Sequence, residues 1–175
     1  MKLKLIVLAL LIYSISFFAQ KKKPDVYFMV RGKITQTSDF CGGARPSDEV
    51  MQDMQKARLY AGKTLYIRKG KSNDLRQPIV MKFLSDSAGR FTIMLKPGVY
   101  SIVQPEQLKK LDMKKIYSGP NIEPDMSCLK EWWSKAYFVL EIKDKNIDGL
   151  EFNFHRKCFI EGDVPCLNYT GPMPP

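Results

Sequence analysis

An all-β fold, an antiparallel sandwich of seven strands, is what the sequence predicts, and two observations carry the prediction. Short runs of β-branched and aromatic residues recur along the chain, several with apolar and polar residues in alternation. Turn-forming clusters punctuate them: Lys69-Gly70, Ser85 to Gly89, Lys96-Pro97-Gly98 and Lys145 to Gly149. A sheet with one wet face requires that alternation, and regular spacing of short strands favours a sandwich.

The elements follow in order. Val26 to Ile34 suits a first, mostly buried strand. Thr64 to Arg68, Ile79 to Leu84, Arg90 to Leu95, Val99 to Val103, Tyr137 to Ile142 and Leu150 to His155 supply the other six. Phe91, Ile93 and Leu95 share one face of their strand, as Tyr100 and Ile102 do of the next, which marks them as core. Ser47 to Lys56 reads as a short helix, with Ser47 able to cap free amides and Asp48 and Glu49 placed well against the dipole. Gln104 to Lys135 is a long insertion, with a helix expected around Glu106 to Lys114. Connections of such length often carry function. The tail after Cys158, rich in proline, is expected to be neither regular strand nor helix.

Lys2 and Lys4 precede a charge-free apolar run, Leu5 to Phe18, that ends at Ala19-Gln20. This is the layout of a secretory signal, so residues 1–20 are expected to be removed, with Ser14 and Ser16 offering a second cleavage site. The run is too short for a membrane span, and Lys21-Lys22-Lys23-Pro24 follows it. It lacks a cysteine that could accept lipid, so the mature chain is expected not to be a lipoprotein. Residues 21–175, about 155 in all, fit one domain that is periplasmic or secreted and does not span the membrane. The formal net charge of +10 favours anionic partners or simple solubility. Export and the lack of a reading motif exclude nucleic acid.

Cys41, Cys128, Cys158 and Cys166 form an even set in a chain bound for an oxidising compartment, so two disulfides are expected. Sequence alone cannot choose among the three possible pairings. Proximity favours Cys158 with Cys166 across a turn at Glu161-Gly162-Asp163, which leaves Cys41 for Cys128.

The stretch from Val30 to Val103 resembles the carboxypeptidase regulatory-like domain, a transthyretin-like (prealbumin-like) β-sandwich of bacterial envelope proteins. The resemblance rests on Val30-Arg31-Gly32-Lys33-Ile34, on Ala61-Gly62-Lys63-Thr64-Leu65, and above all on Ser85-Asp86-Ser87-Ala88-Gly89-Arg90-Phe91 followed by Leu95-Lys96-Pro97-Gly98-Val99-Tyr100. Gly89 suits a hairpin position with positive φ, and Pro97-Gly98 fits the centre of a type II turn. The insertions around Cys41 and Cys128 and the cysteine-bearing tail depart from the usual module. What the resemblance implies is a non-catalytic accessory, adhesive or glycan-binding module that chooses its partner through loops.

Chemistry is sparse. His155 and Cys158 form a lone H-x-x-C pair, and Cys41 has only His155 to activate it. A thiol- or metal-centred enzyme is therefore the weakest reading, and no cofactor or metal is expected. Arg45, beside Cys41, could meet an anion, and Trp132 and Trp133 are the best binding residues, suited to a sugar ring or a partner protein. Core packing of both tryptophans is the equal alternative. The expected function is an exported non-enzymatic binding or structural module of the bacterial envelope whose partner is an envelope protein or a glycan. The alternative is a carbohydrate-binding module using Trp132 and Trp133.

Overall fold

A computed structural model describes residues 25–42, 44, 46–110, 120–160 and 162–172. The expected signal segment and Arg45 lie outside the described residues, as do residues 111–114 of the helix expected over 106–114. What is described there is a 3-10 turn, Pro105–Leu108.

The seven stretches read as strands are all strands: β1 (Phe28–Ser38), β3 (Thr64–Lys69), β4 (Ile79–Leu84), β5 (Arg90–Leu95), β6 (Gly98–Val103), β8 (Phe138–Ile142) and β9 (Ile147–Arg156). Three short ones join them: β2 (Arg58–Leu59), β7 (Ile122–Pro124) and β10 (Leu167–Tyr169). Helix α1 (Asp48–Gln55) begins where expected, with the Ser47 hydroxyl accepting from Val50 N. Helix α2 (Met126–Ser134) occupies part of the long insertion; the Asp125 carboxylate caps it by accepting from Ser127 N and Cys128 N.

Two sheets pack face to face. In one, β1 is central: β5 pairs antiparallel with its first half, β2 with its second, and β9 runs parallel along its other edge. The other is antiparallel throughout, in the order β4-β3-β6-β8. A separate ribbon pairs β7 with β10, antiparallel.

The parallel β1/β9 pair corrects the wholly antiparallel expectation. β8 belongs to the opposite sheet, so the turn after it carries the chain across the sandwich. β9 thus lands beside a strand far away in sequence, and no hairpin dictates its direction. The ladder slips between Val30 and Gly32, opposite Gly149, whose φ of 77° accommodates the extra residue of a bulge. A second correction concerns the tail, where Leu167–Tyr169 forms a strand once Pro165 is past. A third concerns Gly98, whose φ of 155° makes an open bend, not the turn with φ near +80° expected of type II.

Phe91, Ile93 and Leu95 point inward from β5, and Tyr100 and Ile102 from β6, as the alternation requires. Phe91 stacks on Phe152 at 5.3 Å and tilts against Phe83 at 5.0 Å, so both sheets meet through aromatic rings. A second, smaller core gathers Leu129, Ile160, Val164, Cys166 and Leu167 under α2 and the tail.

Candidate functional site

β1 and β9 run parallel, so both end at the same place. Their register sets Thr37 beside His155 and Ser38 beside Arg156, and each chain leaves toward a cysteine. Cys41 pairs with Cys158, Cα atoms 5.2 Å apart, and Cys128 with Cys166 at 5.5 Å. The bridges are as expected but the pairing is not, since proximity in sequence favoured Cys158–Cys166. Parallel strand ends bring Cys41 to Cys158. The β7/β10 ribbon, continued by Asp125 N donating to Cys166 O, brings Cys166 under the first turn of α2. With all four thiols bonded there is no thiolate to act as nucleophile or metal ligand.

The tips of β1 and β9 are further joined by a polar relay. The Asp39 carboxylate can only accept, so His155 donates from Nε2 to Asp39 Oδ1 (2.8 Å) and accepts at Nδ1 from the Thr37 hydroxyl (3.0 Å). Hydroxyl, imidazole and carboxylate stand in the order of a nucleophile relay. However, the His155 and Asp39 side chains are about half exposed, where water screens the carboxylate and weakens activation of the hydroxyl. The arrangement acts as a lock on two strand ends, and it confirms His155 as a surface residue at the end of its strand. Both ring nitrogens of His155 are thereby hydrogen-bonded.

Two grooves flank this lock, each of about 270 Å3. In the first, Met51 and Met54 of α1 face Phe40 and His155. The second runs between Phe159 and Tyr169, with Ile160 and Leu167 behind, and Asp39 borders both. Phe159 has φ 61°, an unusual conformation for a bulky residue, and it holds the ring 40% exposed and 4.6 Å from that of Tyr169. Lys157 fixes the far wall by donating to Leu167 O and Asn168 Oδ1.

Under the tail lies a buried polar anchor. Lys63 Nζ pairs with Asp163 Oδ2, and its ammonium sits 4.5 Å above the Phe154 ring. Asp163 also accepts from Tyr60 Oη (3.2 Å) and Gln36 Nε2 (3.3 Å). Burial, then the Asp163 charge, pushes up the pKa of Tyr60 and raises that of Tyr137 to about 12.

Trp132 and Trp133 lie on α2, with rings edge to face at 5.8 Å. Trp133 is buried. Trp132 is half-buried and packs on the second core, which shares Ile160 and Leu167 with the groove at Phe159. Thus the two insertions and the tail converge on one end of the sandwich. Sequence reading missed Phe159, Tyr169, Met51 and Met54. The signal available was their nearness to Cys41, Cys158 and Cys166, and it could not be used without the correct pairing.

No protein-family model matches the chain, and no curated protein matches it. Among solved structures it is similar to the shaft pilin SpaA of Lactobacillus rhamnosus GG. A mutant form aligns over 77% of this chain and 52% of the pilin chain, at 9% identity and TM-score 0.41. The pilin without that mutation aligns over 75% and 50%, at 9% identity and TM-score 0.36. The chain spans about half the length of these pilin chains.

Proposed function

We propose that the chain is an exported, non-enzymatic binding module, a transthyretin-like sandwich of seven main strands that docks an envelope protein through its disulfide-tied end. One observation carries the reading: both disulfides fasten insertions and tail, not the sandwich core, to one end, where they hold grooves with exposed apolar and aromatic walls. Rigid aromatic anchors beside adaptable methionines are what partner surfaces use. Disulfides belong to an oxidising compartment, which supports the periplasm or the exterior.

Affinity recovery from native envelopes tests it. Phe159→Ser with Tyr169→Ser, or Met51→Ser with Met54→Ser, should abolish recovery of the partner while the melting temperature stays near that of the parent. Full recovery by both double variants would move the site elsewhere. Arg45→Ala with Trp132→Ala tests whether the surface extends across both insertions. Mass spectrometry of the exported chain should show the first 16 to 20 residues missing and no lipid; an intact Met1 in membranes would reverse that part.

The second reading, carbohydrate binding, is favoured by the exposed part of Trp132 and narrows to it, since Trp133 is buried. A glycan array distinguishes the two: binding that Trp132→Ala removes, with protein recovery unchanged, would favour the sugar.

A further inference from the structure

The opposite end of the sandwich holds a larger cavity, and neither disulfide reaches it. β4 and β5 are outer strands of different sheets and form no ladder with each other. Between their starts and ends opens a cleft of about 650 Å3. Val80 and Met81 line it from β4, Met94 and Leu95 from β5, and Val99 and Tyr100 from β6. Val80 is 41% exposed and Met94 43%, so apolar surface faces water here.

Polar residues line it as well: Lys69, Lys96 and Tyr27. Lys96 Nζ lies 2.7 Å from Asp25 Oδ2 and 5.4 Å from the Tyr27 ring centroid. Lys69 has no ion pair among the described residues. The cleft therefore has the size and composition of a small-molecule site: apolar walls with a few charged groups. Methionines on facing strands adapt to a flexible guest better than branched side chains would.

Each simpler guest leaves part of this unused. A neutral apolar molecule would gain nothing from the lysines, and a compact anion would gain nothing from Val80, Met81 and Met94. We propose that the cleft binds an amphipathic anion, its unbranched apolar tail lying between β4 and β5 and its acidic head at Lys69 and Lys96. Asp25 competes with the head for Lys96, so affinity is held below what the two lysines alone would give. The same chemistry occurs in a free fatty acid and in an anionic lipid of a bilayer.

The test uses the oxidised mature protein, dodecanoate below its micelle concentration, and methyl resonances of 13C-labelled methionine assigned by single Met→Leu changes. Dodecanoate should shift Met81 and Met94 saturably while Met51 and Met54, at the other end, stay in place. Dodecyltrimethylammonium, with the same tail and the opposite charge, should bind far more weakly. Val80→Asp, on an exposed edge where folding is not at risk, should abolish binding, and Lys69→Glu should weaken it about tenfold as an attractive charge becomes repulsive. Asp25→Asn should tighten it.

Sedimentation with phosphatidylglycerol or phosphatidylcholine vesicles separates the sources. Pelleting with the first alone, lost in Val80→Asp, assigns the guest to a bilayer; dodecanoate binding without pelleting assigns it to a free acid. Equal binding of the cationic detergent, shifts that spare Met81 and Met94, or undiminished binding by Val80→Asp would overturn the proposal.

Discussion

Lys63 and Asp163 are the residues on which most depends for their size. Their side chains are only 9% and 3% exposed, so each charge has left water in exchange for the other. Removing one partner strands the other. Lys63→Met or Asp163→Asn is expected to cost about 3 to 5 kcal/mol in denaturant melts, whereas removing both charges should cost less than either single change. Gly32 is as constrained by space. A Cβ there would come 2.4 Å from Leu150 O and 2.7 Å from Phe91 Cζ, so Gly32→Ala should cost about 1 to 3 kcal/mol by overpacking. Tyr137 sets the alkaline limit. Its pKa is raised to about 12 from an ordinary 10.0, so below pH 10 both states are neutral and its contribution is intact. As pH rises from 10 to 12 the unfolded chain ionises first, and stability falls. Melts on either side of pH 10 should show that loss, and Tyr137→Phe should flatten it.

At the scale of elements, the pairing of β1 with β9 decides what was legible. Alternation and turn residues reveal a strand's existence, which is why Phe91, Ile93 and Tyr100 could be placed in the core from sequence. Direction and partner come from the path between sheets, to which local periodicity is blind. The cysteine pairing depends on that path and was misread with it. Unreduced peptide mapping should link Cys41 to Cys158 and Cys128 to Cys166; any other linkage contradicts the topology. In the chain-entropy model, sequence separations of 117 and 38 correspond to about 5 and about 4 kcal/mol of stabilisation, so losing the first bridge should cost more. α2 was legible in principle: Asp125 is a cap, and Leu129, Trp132 and Trp133 follow at helical spacing. The prolines and glycines before Cys128 drew attention away from it. The site was less legible still. Arg45 and Trp132 drew the reading to the two insertions, but the aromatic pair Phe159 and Tyr169 depends on a positive φ and a tail strand that composition does not announce.

For the whole molecule, the Cys41–Cys158 bond has a mechanical meaning. Tension applied to the two ends enters along β1 and reaches Cys41, then crosses the covalent bridge to Cys158 and leaves through the tail. The intervening 117-residue separation, with the strands from β2 through β9, lies off the line of force. Stretching the oxidised chain should therefore yield only short extensions from its two ends, and reductant should release about 400 Å more, at roughly 3.5 Å per residue. The bridge makes the strands from β2 through β9 a bypassed loop and leaves β1 as the one strand of the sandwich that bears load.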